Sequence, residues 1–310
     1  MMNLVIRRVG WSIIVLWFVV TATFVMVAAL PADPANTLLG PHATPEAIAR
    51  VRGHYCLDRG VLAQYRCYVG NLLHGDLGER FRSKRAVSAI LADRLWPTAQ
   101  LAIAAIALQI AFGVPLGTIA ALRHRRWPDH ASNAFVVVAQ SAPPFVVGTL
   151  FLYIFAYRFG WFPINGYGFG LWSRLHHLVL PAATLATLGI AYYAKLVRSE
   201  LIEVLAADYV RTARAKGSSE WNVVMRHALR NAVGPLISLV GIDLGVLAGG
   251  AVAVEYIFAW PGIGREVLQA ILEVDIPLIL GVVMVTAIAV TVANALTDVV
   301  ALCLDPRARG

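Results

Sequence analysis

One ionisable side chain stands alone inside a long apolar stretch of this 310-residue chain. The stretch covers residues 232–254, and its single charge is Asp243. The neighbouring glycines are Gly241, Gly245, Gly249 and Gly250. A carboxylate in apolar surroundings is costly unless it faces a cavity or a partner, and a glycine face allows close helix approach or a wide passage. Asp243, Gly245 and Gly249 are therefore candidates to line a polar passage. The alternative for Asp243 is a hydrogen bond buried within a helix bundle.

The common motifs of nucleotide-binding and hydrolytic enzymes are missing from the sequence. It has no Gly-x-x-x-x-Gly-Lys-[Ser/Thr] loop, no His-Glu-x-x-His and no Gly-x-Ser-x-Gly. The adjacent pair His176 and His177 is poorly spaced for joint metal ligation on a helix. We therefore predict no catalytic, cofactor-binding or metal-binding residues in this chain, and any ATP-driven step requires another protein.

A second group of candidate residues lies between two apolar stretches, in segment 198–237. Residues 199–216 have the composition of a helix, and Gly217 stands where a helix C-terminal glycine belongs. Ser218 or Ser219 can then cap a second helix. Such a short unit cannot bury its own apolar faces, so it must pack on something else. It is either a docking element for a cytoplasmic protein or a basic loop pressed against anionic lipid.

The elements around these candidates are membrane spans. Apolar residues make up 59% of the chain and charged residues 14%, which argues against a soluble enzyme, a disordered protein and a nucleic-acid binder. Six stretches are long and apolar enough to cross a bilayer. They cover residues 9–30, 98–122, 132–157, 178–197, 232–254 and 277–304. The first is too long for the apolar region of a signal peptide, so we expect a retained helix. Pro143 and Pro144 should interrupt the third.

The distribution of Lys and Arg predicts the orientation of these spans. The net charge is +8, and positive side chains concentrate at the N-terminus, in segments 123–126 and 198–230, and in the C-terminal tail. With six spans, these four positively charged regions all lie on one side of the membrane. By the positive-inside rule, that side is the cytoplasm. Both termini are then cytoplasmic. Segment 31–97 lies outside, and its positive charges are compatible with this because long loops largely escape the rule.

The outer segment carries turn signals and a short predicted helix that starts at Pro45, with Thr44 as its N-cap. Cys56 and Cys67 both lie on this oxidising side, where they form either a disulfide or two free thiols. The predicted organisation is an N-terminal tail and first span in residues 1–30 and an extracytoplasmic insertion in 31–97. A five-span core with a cytoplasmic loop at 199–232 follows in 98–310.

The cytoplasmic loop, DYVRTARAKGSSEWNVVMRHALRNAVGP, resembles the coupling loop of ABC-importer permeases. Arg211, Thr212 and Ala213 occupy the Glu-Ala-Ala positions of the family pattern, and Gly217 is its glycine. Arg replaces the Glu, and HALRN replaces the family's Leu-Pro. Both departures are typical of the dipeptide/oligopeptide branch. The segments GDLGERF, WFPINGY and GGAVAVEYIFAWPGIGR also resemble that branch, in the same order, over nearly the whole chain. The long segment after the first span resembles the "B"-type subunit.

This resemblance implies an all-α type I importer permease fold in a bacterial plasma (inner) membrane. The implied function is that of the transmembrane permease of an ATP-driven importer for dipeptides or oligopeptides, with nickel chelates or haem as alternative cargoes. The implied partners are a second homologous permease, one or two ABC ATPase subunits that hold ATP and Mg, and an extracytoplasmic solute-binding protein. Membrane lipid is a further implied partner, and no nucleic-acid partner is expected.

The resemblance also suggests roles for individual residues. Those expected to couple the chain to an ATPase are Arg211, Thr212, Ala213, Lys216, Gly217, Ser218 and Trp221. The translocation pathway is assigned to Asp243, Gly245 and Gly249. Asp76, Glu79 and Trp260 are expected to contact the binding protein; the alternative for the two acids is ordinary loop charge. Arg211, Arg214 and Lys216 would pair with ATPase carboxylates, or else they are simply the positive charges of a cytoplasmic loop.

Two other classes of protein fit the sequence less well. An ATP-independent secondary transporter or channel would need several acids in its spans or inverted repeats, and neither is evident. A membrane scaffold would leave Asp243 and the glycine-rich fifth span unexplained.

Overall fold

The computed structural model describes residues 2–29, 44–54, 56, 58, 60–80, 83–248 and 251–304, which are almost entirely helical. In chain order the helices are α1 (Met2–Ala28), α2 (Pro45–His54), α3 (Val61–Leu73), α4 (Val87–Leu122), α5 (Trp127–Ser141), α6 (Pro144–Phe151), α7 (Leu171–Ala206), α8 (Asp208–Ala215), α9 (Glu220–Asn222), α10 (Leu229–Ala248), α11 (Val252–Ile257), α12 (Ile263–Glu273) and α13 (Ile276–Leu304). Two π-helical segments, Leu152–Arg158 and Val223–Ala228, continue α6 and α9. The short helix predicted from Pro45 is α2.

Within the described residues, three helices are long and apolar enough to cross a membrane. They are Val87–Leu122, Leu171–Ala206 and Ile276–Thr297. The bent pair formed by α5 and α6 with its π-helical continuation would make a fourth. The shorter apolar stretches Gly10–Met26 and Gly234–Leu247 lie where the first and fifth spans are predicted. The chain is thus a helical protein with several apolar helices of membrane-crossing length.

Two predicted spans are broken in the structure. The third bends by 103° between α5 and α6, at the predicted position, because Pro143 and Pro144 cannot continue the helix of α5. The fifth was predicted as one stretch to residue 254, which is wrong in its last part, since α10 ends at Ala248 and α11 begins at Val252. Gly249 and Gly250, both poor helix formers, lie between these helices in sequence and outside the described residues.

The chain divides into two compact units, and the first comprises Met1–Thr98 with Pro261–Thr291. Its core contains Val87, Ile90 and Leu91 of α4, which pack with residues of α12 and α13. The approach of α13 is close, because a Cβ at Gly281 would lie 2.5 Å from Cγ1 of Val87. This unit also contains a disulfide between Cys56, which lies between α2 and α3, and Cys67 of α3.

The second unit comprises Ala99–Trp260 with Val292–Gly310, and α7 is its central helix. This helix packs against α5, α6 and α10. The contact with α4 depends on two glycines one turn apart. A Cβ at Gly113 would lie 2.6 Å from Cβ of Tyr193, and one at Gly117 would lie within 3 Å of Val197. The long helix α7 therefore carries close interhelical contacts over much of its length and leads directly into the candidate site.

Candidate functional site

The candidate coupling segment begins where α7 ends. The sequence predicted one uninterrupted helix over 199–216, and this is wrong. Helix α7 ends at Ala206, Ala207 is extended with φ −70° and ψ 148°, and α8 starts at Asp208. Val210 of α8 is fully buried although Arg211 beside it is exposed. Tertiary packing of Val210 thus favours a change of helix direction that no residue at this position signals.

The turn after α8 confirms the predicted helix ending. Gly217 has φ +80°, in the left-handed region that glycine adopts without strain. Its N–H donates to the carbonyl oxygen of Arg214 (2.9 Å), and the N–H of Ser218 donates to that of Ala213 (3.1 Å). This pair of bonds is the Schellman motif. Of the two predicted capping serines, Ser219 is the one used, because its Oγ accepts the N–H of Asn222 at 3.3 Å.

Apolar side chains hold this helix–turn–helix segment on the second unit. Val210 is buried on α8, and Val223 and Val224 are buried directly after α9. The opposite face is exposed and carries most of the residues predicted for coupling. Arg211, Thr212, Lys216, Gly217 and Trp221 are exposed, and Ala213 and Ser218 are half-buried. Trp221 is 71% exposed, an unusual position for an indole. The segment therefore presents a basic and aromatic surface on a well-anchored support.

Two ion pairs lie on this exposed surface and differ in geometry. Arg214 donates from Nε to Oε1 of Glu220 at 2.7 Å and from Nη2 to Oε2 at 3.2 Å. This pair joins α8 to α9 across the Gly217 turn. Arg211 lies 3.6 Å from Asp208 on the same helix, and both side chains are largely exposed. The first pair was not predicted, although opposite charges six residues apart around a turn glycine are a usable signal.

A buried ion pair fixes α7 just upstream of the segment. Asp129, in the first turn of α5 and before the predicted third span, accepts hydrogen bonds from Nε and Nη2 of Arg198, the latter at 3.0 Å. It also accepts the backbone N–H of Arg125 at 2.9 Å. Hydrogen bonds from the Arg198 guanidinium hold the pKa of the Asp129 carboxyl well below its usual range, so this carboxylate stays charged at physiological pH. The loop before α5 is thereby tied to α7.

Asp243 lies on α10 and is half-buried. It interacts electrostatically with Tyr193 of α7, whose side chain is fully buried. Neither Oδ2 of Asp243 nor the Tyr193 hydroxyl has a hydrogen-bond partner among the described residues. Of the other predicted pathway residues, Gly245 is buried, and Gly249 lies outside the described residues. Tyr193 was not predicted as a site residue, since one tyrosine in an apolar span gives no signal.

The outer residues predicted to meet a binding protein differ in exposure. Asp76 and Glu79 are exposed, and Oδ1 of Asp76 accepts the N–H of Gly78 at 2.8 Å within its own turn. Trp260 is fully buried, and the centroid of its ring lies 4.8 Å from the centroid of the Tyr167 ring. A buried indole presents no surface to a partner, so the structure removes Trp260 from this group.

The GDLGER turn has a structural use that the sequence did not reveal. Its Arg80 reaches Glu273 at 3.0 Å, Glu266 at 3.5 Å and Asp275 at 3.8 Å. Arg94 adds a second contact to Glu266 at 2.8 Å. Glu266 and Asp275 are almost completely buried. The turn is therefore bound to α12 and to the start of α13 through a buried charge network.

Comparison with known proteins defines the class of this chain. The family described as "binding-protein-dependent transport system inner membrane component" matches residues 113–310, and the corresponding N-terminal family matches residues 1–102. The chain belongs to this family of transport-system membrane components. It is therefore a membrane component of a transporter and not an enzyme, in keeping with its apolar helices.

Individual relatives match over the full length. A Brucella abortus (strain 2308) protein predicted to be a peptide transport system permease is 38% identical, over 100% of this chain and 99% of its own. The glutathione transport system permease protein of Escherichia coli (strain K12) is 36% identical, over 100% of this chain and 99% of its own. These matches extend to the outer segment and the cytoplasmic loop alike.

Solved structures support the fold. A methionine ABC transporter in an inward-facing conformation matches with a TM-score of 0.59 at 16% identity, covering 70% of this chain and 96% of that chain. A second crystal form gives a TM-score of 0.55. The chain thus has the fold of an ABC-importer permease.

Proposed function

We propose that this chain is the transmembrane permease subunit of an ATP-driven importer that passes peptides into the cytoplasm. Family membership supplies the transport class. The observation that carries the coupling role is the exposed face of α8 and α9, which presents Arg211, Lys216 and Trp221 from a segment anchored by buried valines. A basic and aromatic surface of this kind fits an ATPase groove with an apolar floor and acidic rim.

The proposed topology has six spans, both termini in the cytoplasm and an extracytoplasmic insertion at 31–97. The core of residues 98–310 carries the coupling loop at 199–232. Three features support this arrangement: the distribution of Lys and Arg, the apolar helices at each predicted position, and the disulfide between Cys56 and Cys67 in the outer segment. The proposed partners are a second homologous permease, one or two ATPases that bind ATP and Mg, a solute-binding protein and lipid.

The mechanism that we propose is rigid-body transmission. ATP binding closes the ATPase pair and moves the coupling segment, and α7 carries the motion into the bundle. At 1.5 Å per residue, a helix of 36 residues is about 54 Å long and spans the membrane with excess length. Its glycine-mediated contact with α4 and its ion pair to α5 hold the half of α7 that leads into the coupling segment against its neighbours. The bundle is thereby biased between inward- and outward-facing states.

Peptide cargo is proposed because the curated relatives include peptide and glutathione transport permeases. Asp243, with Gly245 and Gly249, is assigned to the translocation pathway. A half-buried carboxylate is suited to the ammonium group of a peptide, which would compensate its charge in a low-dielectric bundle. On the outer side, the exposed carboxylates of Asp76 and Glu79 are the proposed contacts for the binding protein.

The test is gentle affinity purification of this chain from its native membrane, with identification of every co-purifying protein. We expect a second permease, ATPases with phosphate-binding loops and a solute-binding protein among the co-purifying proteins. Vesicles that contain the recovered complex should take up peptide only when ATP is present on the side of the membrane where the ATPases lie. Recovery of the chain alone, with solute movement in ATP-free vesicles, would refute the proposal and favour a secondary transporter.

A further inference from the structure

The pair formed by Arg214 and Glu220, here called the clasp, is the best-formed ion pair of the coupling segment. Two parallel hydrogen bonds, at 2.7 and 3.2 Å, join the guanidinium edge to both carboxylate oxygens. Such bidentate geometry fixes orientation as well as distance. The two residues belong to different helices, so the bond constrains the helices relative to each other.

We propose that the clasp sets the angle between α8 and α9, and that Arg214 is a positioning residue which does not itself bind the ATPase. This inference rests on the proposed function and assigns separate tasks to the basic residues of the segment. Arg214 holds the two helices, whereas Arg211 and Lys216 face the partner.

The hydrogen bonds and the exposure of the turn between α8 and α9 explain why the clasp affects the angle between these helices. The Schellman bonds at Gly217 and Ser218 and the cap at Ser219 fix the ends of the two helices. The residues between the helices are exposed or half-buried, and a Cβ at Gly217 would meet nothing within 4 Å. Packing therefore does little to hold the turn on its outer side. The Arg214–Glu220 bond supplies a lateral constraint at this place.

The other two basic residues are available to a partner. Arg211 and Asp208 make one long contact, 3.6 Å from Nη1 to Oδ1. Their side chains are 72% and 97% exposed, respectively. Lys216 is exposed and forms no ion pair within the described part of the chain. In contrast, Arg214 already directs two donors at Glu220. A partner carboxylate therefore meets Arg211 and Lys216 without first breaking a bidentate bond.

A charge exchange tests this assignment in the complete importer. The permease pair, ATPases and binding protein are reconstituted in vesicles, and peptide uptake and ATP hydrolysis are measured together. Arg214→Glu and Glu220→Arg should each raise the ATP consumed per peptide by about threefold, in line with loss of one well-formed exposed pair. The double exchange should restore the ratio. Arg214→Lys should give an intermediate value, because an ammonium group cannot form the bidentate bond.

The pair Asp208 and Arg211 supplies the matched control. Arg211→Glu should impair coupling through lost contact with the ATPase, and adding Asp208→Arg should not restore it. Thermal stability and subunit content of each complex are measured alongside, and a clasp that only positions the turn leaves both close to wild type.

Three outcomes would overturn the inference. The first is a double exchange that fails to restore coupling while the wild-type complex transports normally, which leaves the proposed function intact. The second is rescue of Arg214→Glu by an acid-to-Lys substitution in the ATPase groove, which would make Arg214 a docking residue. The third is absence of an ATPase from the wild-type complex, which would overturn the proposed function and the clasp with it.

Discussion

Substitution of Gly217 is the most direct perturbation of the coupling segment. Its φ of +80° is unfavourable for any residue with a Cβ, and a Cβ there would meet no neighbouring atom within 4 Å. The expected cost is therefore conformational, not steric, and stays local to the turn. A left-handed conformation costs roughly 1–2 kcal/mol for an ordinary L-residue, and a β-branched residue is a stronger outlier.

This cost translates into a graded prediction. A penalty of 1–2 kcal/mol reduces the population of the native turn by about 5- to 30-fold relative to competing conformations. We expect Gly217→Ala to lower peptide uptake per ATP within this range, and Gly217→Val to lower it further. Gly217→Asn is the matched control, since asparagine tolerates the left-handed region, and it should retain most of the coupling.

The assay is uptake and ATP hydrolysis by the reconstituted importer, with membrane insertion and subunit content checked for each variant. Val210, Val223 and Val224 anchor the segment independently of the turn, so all three variants should insert. Wild-type uptake per ATP by Gly217→Val would refute the reasoning. Equal losses for the alanine and asparagine variants would also contradict it, because the effect would then not follow backbone preference.

Three further predictions concern the outer segment and the pathway. Arg80→Gln should destabilise the first unit by about 3 kcal/mol, the lower end for a broken buried ion pair, because it removes the guanidinium shared by Glu266 and Asp275 while Arg94 still contacts Glu266. Arg85→Gln, which removes an exposed pair, should cost under about 1 kcal/mol in the same thermal unfolding and proteolysis assays. Cys56 and Cys67 should resist alkylation in native membranes until a reductant is added, and labelling of both without reductant would exclude the disulfide. Asp243→Asn should raise the uptake KM of peptides with a free amino group by about tenfold, because a charge-assisted hydrogen bond is lost. The uptake KM of N-acetylated peptides should not change. Equal effects on both kinds of peptide would contradict the contact between Asp243 and the ammonium group.

Features with a local cause could be predicted from the sequence. The break before α6 follows from Pro143 and Pro144, whose rings cannot continue a helix. The turn after α8 follows from Gly217, and the start of α9 follows from Ser219. The apolar composition and the six long apolar stretches predicted a membrane protein with several spans. In each case the decisive energy is a backbone preference or a water-to-hydrocarbon transfer, which depends on neighbouring residues only.

Features that depend on distant contacts were decided by the tertiary structure. Arg80 and Glu266 are 186 positions apart, and nothing near either residue indicates that they meet. The change of direction at Ala207 follows from the burial of Val210, and Trp260 is buried although it was expected to contact the binding protein. Burial and ion pairing are properties of the packed bundle, where the free energy of a side chain depends on which helices surround it. The sequence by itself therefore determined the class of protein and the outline of the coupling turn. Only the folded chain decided which charges are bonded internally and which remain exposed for a partner.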